Sequence, residues 1–336
     1  VLGSAEIIIV AKYAGRASIF IGFTPYHAHV VSRLIESCDE GKAYCYFSKL
    51  WPNSQRGYTR LGFSRRWMRG LDQVLSFFYF SFFIRVLAIR GYALDVYMPH
   101  PGNIFTNYLF FSSSHLKRTF IYEDGILNYY DAVQQNSFVG FWKRLLSVVA
   151  GMPYRFYKGH LAGYDVGCYD GAFLSMPELA VRREALGVVR VIPVCRKDLN
   201  VNNNVILFLD QSVEGILARG QRQACLNEMF RRYPVESYRY IYKPHHDYCS
   251  DISQSMLRLS SEEMGLPAEL LIDILRPGHV ISFFSSALVN VKNSFPAISC
   301  VSLASAMVKI SRNGHQEPLS DLFSQVGVEC LNVRDM

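Results

Sequence analysis

Three short polar clusters stand in order along an otherwise apolar chain: Tyr122-Glu123-Asp124-Gly125, Lys243-Pro244-His245-His246 and Ser282-Phe283-Phe284-Ser285-Ser286. A pair of carboxyl groups can take a proton from a hydroxyl. A lysine and a histidine can neutralise a phosphate, and two adjacent hydroxyls can hold its oxygens. The chemistry suggested is transfer of a group from a phosphate leaving group to an alcohol.

Each cluster follows a run that reads as a buried strand, over residues 118–121, 238–242 and 279–281. Each is therefore expected at the end of a strand in a parallel sheet, where open α/β sheets bind ligands. Taken singly the clusters say less. An acidic turn after a strand is commonly structural, and a serine ahead of a helix is commonly a plain N-cap. Lys243-Pro244-His245 is more informative, because proline stiffens a turn that presents two cationic or hydrogen-bonding side chains together. Ser285 and Ser286 are expected to open a helix whose free N–H groups form an anion seat with their hydroxyls. His100-Pro101 and Ser112-Ser113-Ser114 are similar in composition and are set aside as decoys. His246 and Asp247 invite a metal reading, but no H-x-x-x-H or D-x-D pattern completes a site, and no metal is expected.

The elements that must position these clusters alternate. Residues 17–22 read as a strand, Thr24-Pro25 as N-cap and first helical residue, and the helix runs to residue 37. A strand over 43–48, an aromatic helix over 74–89, a strand over 93–97, a helix to residue 111 and the strand ending at Glu123 follow. This rhythm argues for a parallel sheet covered on both faces. The Asn-rich stretch 198–204 reads as a linker, dividing the chain into domains 1–197 and 198–336. Beyond it the rhythm restarts, with strands over 205–209, 238–242, 279–281 and 297–302 and helices over 221–232 and 285–291. The expected fold class is α/β of the GT-B type, two Rossmann-like domains facing a central cleft.

Composition narrows the setting. With 336 residues, half of them hydrophobic, the chain can bury a large core, which argues against disorder. The formal charge is +7, and residues 41–71 hold seven basic side chains and no acidic one. That run fits an anionic partner or a solvated basic loop. No nucleic-acid module accompanies it, so nucleic acid is not the expected partner. Eight cysteines without a C-x-x-C pair read as free thiols of a reducing compartment. The first residues lack the layout of a signal peptide, and a cytoplasmic setting is expected. The apolar run 74–89, with Arg85 inside, is shorter than a membrane span. It reads as a core helix or, with the basic run before it, as peripheral contact with the inner membrane.

Tyr-Glu-Asp-Gly, Lys-Pro-His and Phe-Phe-Ser-Ser-Ala-Leu, in this order, resemble the motifs of bacterial GT-B sialyltransferases, which share an acidic pair followed by Gly, a His-Pro motif and a Ser-Ser or Ser-Thr motif. The resemblance is nearest to the lipooligosaccharide sialyltransferases (glycosyltransferase family 52), with the polysialyltransferases next. Phe23-Thr24-Pro25, Leu209-Asp210-Gln211 and Leu266-Pro267-Ala268-Glu269-Leu270 add to it, and it spans residues 19–291. It implies that Glu123 is the general base for the acceptor hydroxyl and that Asp124 is more positional. It further implies that His245 meets the leaving phosphate with Ser285 and Ser286, and that Glu269 binds the cytidine ribose. Lys243 and Gln211 join the donor-binding set. His246 stands where the motif has its proline.

The implied activity is inverting, metal-independent transfer of sialic acid from CMP-sialic acid to a glycan or glycolipid hydroxyl, with no cofactor. CMP leaves with a single phosphate, which Lys243, His245 and the serines can neutralise without a metal. CMP-Kdo or another nucleotide sugar is the alternative donor, and a noncatalytic glycan-binding assembly factor the alternative class. Acceptor, linkage and oligomeric state stay open at this point.

Overall fold

The computed structural model describes residues 15–37, 42–47, 59–60, 71–111, 117–133, 140–192, 199–245 and 256–331. The first half is a seven-stranded sheet of β1 (Arg16–Gly22), β2 (Lys42–Phe47), β3 (Thr59–Arg60), β4 (Ala93–Met98), β5 (Lys117–Tyr122), β6 (Gly171–Leu174) and β7 (Val188–Val191). Its order is β3-β2-β1-β4-β5-β6-β7, and every pair is parallel. Helices α1 (Pro25–Ser37), α2 (Leu71–Ile89), α3 (Ile104–Phe111) and α4 (Phe141–Val149) belong to this half.

The second half holds β8 (Asn202–Leu209), α5 (Arg219–Arg232), β9 (Arg239–Lys243), β10 (Leu257–Arg258), α6 (Ser261–Met264), α7 (Ala268–Leu275), β11 (Pro277–Ser282), α8 (Ala287–Ser294) and β12 (Ser299–Ser302). A hairpin of β13 (Lys309–Arg312) and β14 (His315–Pro318), then α9 (Leu319–Gln325) and β15 (Glu329–Cys330), complete it. Its six-stranded parallel sheet runs β10-β9-β8-β11-β12-β15.

Both sheets double back beside their first strand, so the order reverses between β1 and β4 and again between β8 and β11. Crevices at such reversals, at the carboxyl ends of the strands, are where this architecture takes ligands. The central strands are buried on both faces, as in Phe20, Ile21, Ile121, Tyr122, Leu207 and Ile281. That is why they read as continuous apolar runs rather than as alternating ones. A stack of Phe20, Tyr97 and Phe120, with centroids 4.4 and 4.9 Å apart, ties β1, β4 and β5 into one rigid platform.

The halves meet directly. Asp131 N–H donates to the Ser311 carbonyl at 2.7 Å, and Arg312 Nη2 donates to the Leu179 carbonyl at 3.3 Å. The β13–β14 hairpin that makes both contacts turns on Asn313-Gly314, each with positive φ, the residue pair such tight turns demand.

Several expected elements shift. The aromatic helix starts at Leu71, and α8 starts at Ala287, so Ser285 and Ser286 precede it rather than open it. Among the described residues Cys45, Cys168, Cys225, Cys300 and Cys330 are free thiols. Cys38, Cys195 and Cys249, His246 and Asp247, and the basic side chains of the run 41–71 lie outside the described residues.

Candidate active site

A cavity of about 550 Å³ opens where the carboxyl ends of both sheets face each other, within the size range of small-molecule sites. From the first half it is lined by Thr24, Tyr26, Asp124 and Gly125. From the second come Gln211, Lys243, His245, Glu269, Ser285 and Ser286. Seven of the eight residues expected from the sequence thus share one wall-to-wall space. The exception is Glu123.

Glu123 is completely buried and is not among the residues that line this cavity. Its Oε1 accepts from Tyr26 Oη at 2.7 Å; its Oε2 accepts from Ser175 N–H at 2.7 Å, Ser175 Oγ at 2.5 Å and Tyr129 Oη. Its own N–H still pairs with Phe173 O at 3.0 Å, extending the β5–β6 ladder by one residue. Both Glu123 oxygens thus already have donors, and the residue borders a separate small space shared with Tyr26, Glu269 and Asn290. Glu123 fixes Tyr26, which does line the cavity.

Asp124 is the carboxyl group that reaches the cavity, with a fifth of its side chain exposed. Its Oδ1 lies 2.7 Å from His27 Nε2, and its Oδ2 lies 3.8 Å from His100 Nε2. Both imidazoles have their tautomer fixed from behind. Phe23 N–H donates to His27 Nδ1 at 3.1 Å, and Gly102 N–H donates to His100 Nδ1 at 3.0 Å. Each Nδ1 must be the bare nitrogen, so each Nε2 carries a proton aimed at Asp124. Nitrogens protonated on that side are not metal ligands, whose backing would run the other way. Burial pushes the Asp124 carboxyl up, but the electrostatic pull and hydrogen bond of His27, and then the pull of His100, outweigh it and hold it below the usual range. Burial lowers His100, against the pull of Asp124. The pair leaves Asp124 ionised at neutral pH, able to accept a proton.

The local sequence explains the placement. Thr24 Oγ1 accepts the His27 N–H at 3.1 Å and caps α1, which sets His27 one turn into the helix after β1. His100 follows β4, and Asp124 follows β5. Sequence reasoning passed over His27 and dismissed His100-Pro101 as a decoy. The available signal was position: both histidines follow strands that flank the first reversal of order.

Gly125, with φ +57°, lies against Ser286. A Cβ there would come within 2.7 Å of Ser286 Oγ, so glycine is required both by the backbone and by the approach of the second half. Ser285 Oγ accepts from Ala287 N–H at 3.3 Å, and Ser286, in the αR region, makes no side-chain cap. Lys243 Nζ donates to Met264 O at 3.1 Å, and burial lowers its pKa against the pull of Glu269. Gln211 Oε1 accepts from Ser282 Oγ at 3.1 Å and Phe284 N–H at 3.3 Å, pinning the loop after β8 to the one after β11. Burial raises the Glu269 carboxyl, opposed by its own backbone N–H, Asn290 Nδ2 at 3.0 Å and the charges of Arg33 and Lys243. Two more acceptors at this wall, Asp210 Oδ1 and Asn290 Oδ1, are buried without a partner among the described residues. Such oxygens suit ligand hydroxyls or an exocyclic amine. The arrangement presents one ionised carboxylate on the first half and a set of cation, imidazole and hydroxyl groups opposite it.

The family model described as alpha-2,8-polysialyltransferase (POLYST) matches residues 95–304, more than half of the chain. The match includes His100, Asp124, Lys243, His245, Glu269 and both serines, while His27 precedes it. It falls on the family that the motifs placed second. No curated protein matches the sequence. Among solved structures, the UDP-GlcNAc 2-epimerase of Methanocaldococcus jannaschii in complex with UDP-GlcNAc and UDP is similar over 94% of this chain and 88% of that one, at 10% identity and a TM-score of 0.50. An H444N variant of the wall teichoic acid polymerase TagF is similar over 85% and 70%, at 9% identity and a TM-score of 0.44. The likeness to the epimerase is one of fold, two Rossmann-like halves around a cleft, and the fold is GT-B.

Proposed function

Because this chain belongs to the alpha-2,8-polysialyltransferase family and is a glycosyltransferase, we propose that it moves sialic acid from CMP-sialic acid to a hydroxyl of a surface glycan. The transfer is inverting and needs no metal. Asp124, rather than Glu123, takes the proton from the acceptor hydroxyl. The observation that carries this reading is the placement of Asp124 on one half, opposite Lys243, His245, Ser285 and Ser286 on the other, across one cavity.

The sugar becomes oxocarbenium-like in such a transfer, so the cleft must stabilise a departing phosphate on one side and deprotonate an alcohol on the other. His27 orients Asp124 through a hydrogen bond from its Nε2, and His100, 3.8 Å from the other oxygen, adds to the field that keeps it ionised. Lys243, His245 and the two serines meet the single phosphate of CMP as its charge grows. Glu269, with the unpartnered oxygens of Asp210 and Asn290, takes the ribose and cytosine donors. The family's description favours a sialylated glycan as acceptor, and lipooligosaccharide is the other arm of the same reading.

The test is a donor screen with CMP-sialic acid, CMP-Kdo and UDP-sugars, each with sialylated oligosaccharide or lipooligosaccharide, followed by NMR of the product anomer. Transfer from CMP-sialic acid with inversion is the expected result. Turnover with a UDP-sugar alone, or a retained configuration, contradicts it.

A further inference from the structure

α4 is amphipathic with its apolar face outward. Phe141, Trp142, Leu145, Val148 and Val149 fall within about a third of the helical circumference by the 3.6-residue period, and all five are exposed, Trp142 at 72%. The small polar Ser147 is the residue turned inward. α2, apolar on its buried side as well, also turns apolar side chains outward. Leu75, Phe78, Phe82 and Ile89 share one face and are exposed, Phe82 at 67% and Ile89 at 85%. Arg85 lies on that same face, and its Nη2 donates to the Gly151 carbonyl just beyond α4 at 3.2 Å. The two apolar faces are therefore neighbours on one surface. A soluble monomer rarely leaves such a patch uncovered.

The charge around the patch selects its occupant. Lys143, Arg155, Lys158, Arg85 and Arg90 are exposed, and Arg144 lies over the exposed Phe156 ring at 4.7 Å. No acidic residue occurs in the sequence between Asp131 and Asp165, or between Asp72 and Asp95. Asp165 itself turns its carboxyl to the His160 N–H. A second copy seated on this face would set these cations against their own images. An anionic lipid surface would be met by both the cations and the apolar side chains. No helix among the described residues is long and apolar enough to cross a membrane. α4, about 14 Å long at 1.5 Å per residue, suits a position in the plane of the interface.

We propose that the outward face of α4 with α2 docks on an anionic phospholipid bilayer, Trp142, Leu145 and Phe82 entering the headgroup region and Lys143, Arg155 and Lys158 meeting lipid phosphates. The test is co-sedimentation of the full chain with phosphatidylglycerol/phosphatidylcholine vesicles and with pure phosphatidylcholine vesicles, alongside sedimentation velocity without lipid. Wild type should prefer the anionic vesicles by on the order of 10²-fold, as expected for several cations near a charged leaflet, and lose that preference in high salt. Trp142→Glu with Leu145→Glu should lower binding at least tenfold while thermal unfolding and CMP affinity stay unchanged, since both side chains are exposed. Lys143→Glu with Lys158→Glu should abolish the anionic preference with the same controls. Failure of wild type to bind anionic vesicles overturns the proposal, as does full binding by the Trp142→Glu, Leu145→Glu variant. A dimer in solution that this variant dissociates, without vesicle binding, assigns the face to a second copy and overturns it as well.

Discussion

At Glu123 four hydrogen bonds arrive from donors, whereas its neighbour Asp124 meets two imidazoles and the cavity. An amide at position 123 would direct its NH₂ at one of those donors. Glu123→Gln should therefore destabilise the fold by about 1–3 kcal/mol, seen as a lowered Tm, with a smaller effect on turnover than any change at Asp124. Glu269 carries the opposite sign. Its folded pKa is raised by burial, so the folded state holds the proton to higher pH than the unfolded chain. The group's favourable contribution is present below the unfolded carboxyl pKa and is lost as pH rises through the folded one. Glu269→Gln should thus raise Tm at pH 7–8 without nucleotide, lose that advantage below pH 4, and weaken CMP binding, as thermal scans and calorimetry would show. Asp124, held low by His27 and His100, contributes stability above the ordinary carboxylate pKa that is lost as pH falls through its lower folded value. The acidic pair was visible in the sequence, but the division of labour within it was not. Which of two adjacent side chains meets Tyr26 and Ser175 depends on α1 and on the loop after β6, far away in the chain.

Among the elements, strand ends do the positioning, and the strands were the most legible part. Apolar runs at β1, β4, β5, β8 and β11 announced themselves because both faces are covered. The shorter β6 and β7, the one opening on glycine and the other mostly exposed, gave no comparable signal. The Asn313-Gly314 hairpin was a legible turn that the βα rhythm had overshadowed. His100 was dismissed because a His-Pro pair is common. Only the reversal of strand order beside β1 shows that it reaches Asp124. Gly125 is where the element from one half touches the element from the other. Gly125→Ala adds a side chain at positive φ and 2.7 Å from Ser286 Oγ. It should raise KM for the donor and cost about 1–3 kcal/mol of stability. Combining it with Ser286→Gly should restore part of the stability but not donor affinity, as paired thermal melts and CMP titrations would show.

The whole molecule places the two halves of the chemistry on two sheets, so the cavity exists only when both are folded and docked. The contacts from the β13–β14 hairpin to Asp131 and Leu179 hold that relation. A donor bridging the halves should stabilise them together. CMP at about a hundred times its Kd would add about 2.7 kcal/mol, and a single cooperative thermal transition should move upward with it. The central claim, that Asp124 deprotonates the acceptor while the opposite wall takes the phosphate, is tested most directly by one rate: acceptor-dependent release of CMP from CMP-sialic acid by Asp124→Asn relative to wild type at saturating donor. The account predicts a fall of roughly 10²- to 10⁴-fold with CMP affinity unchanged. A variant that turns over like wild type, or one that loses CMP binding in proportion to rate, would contradict it.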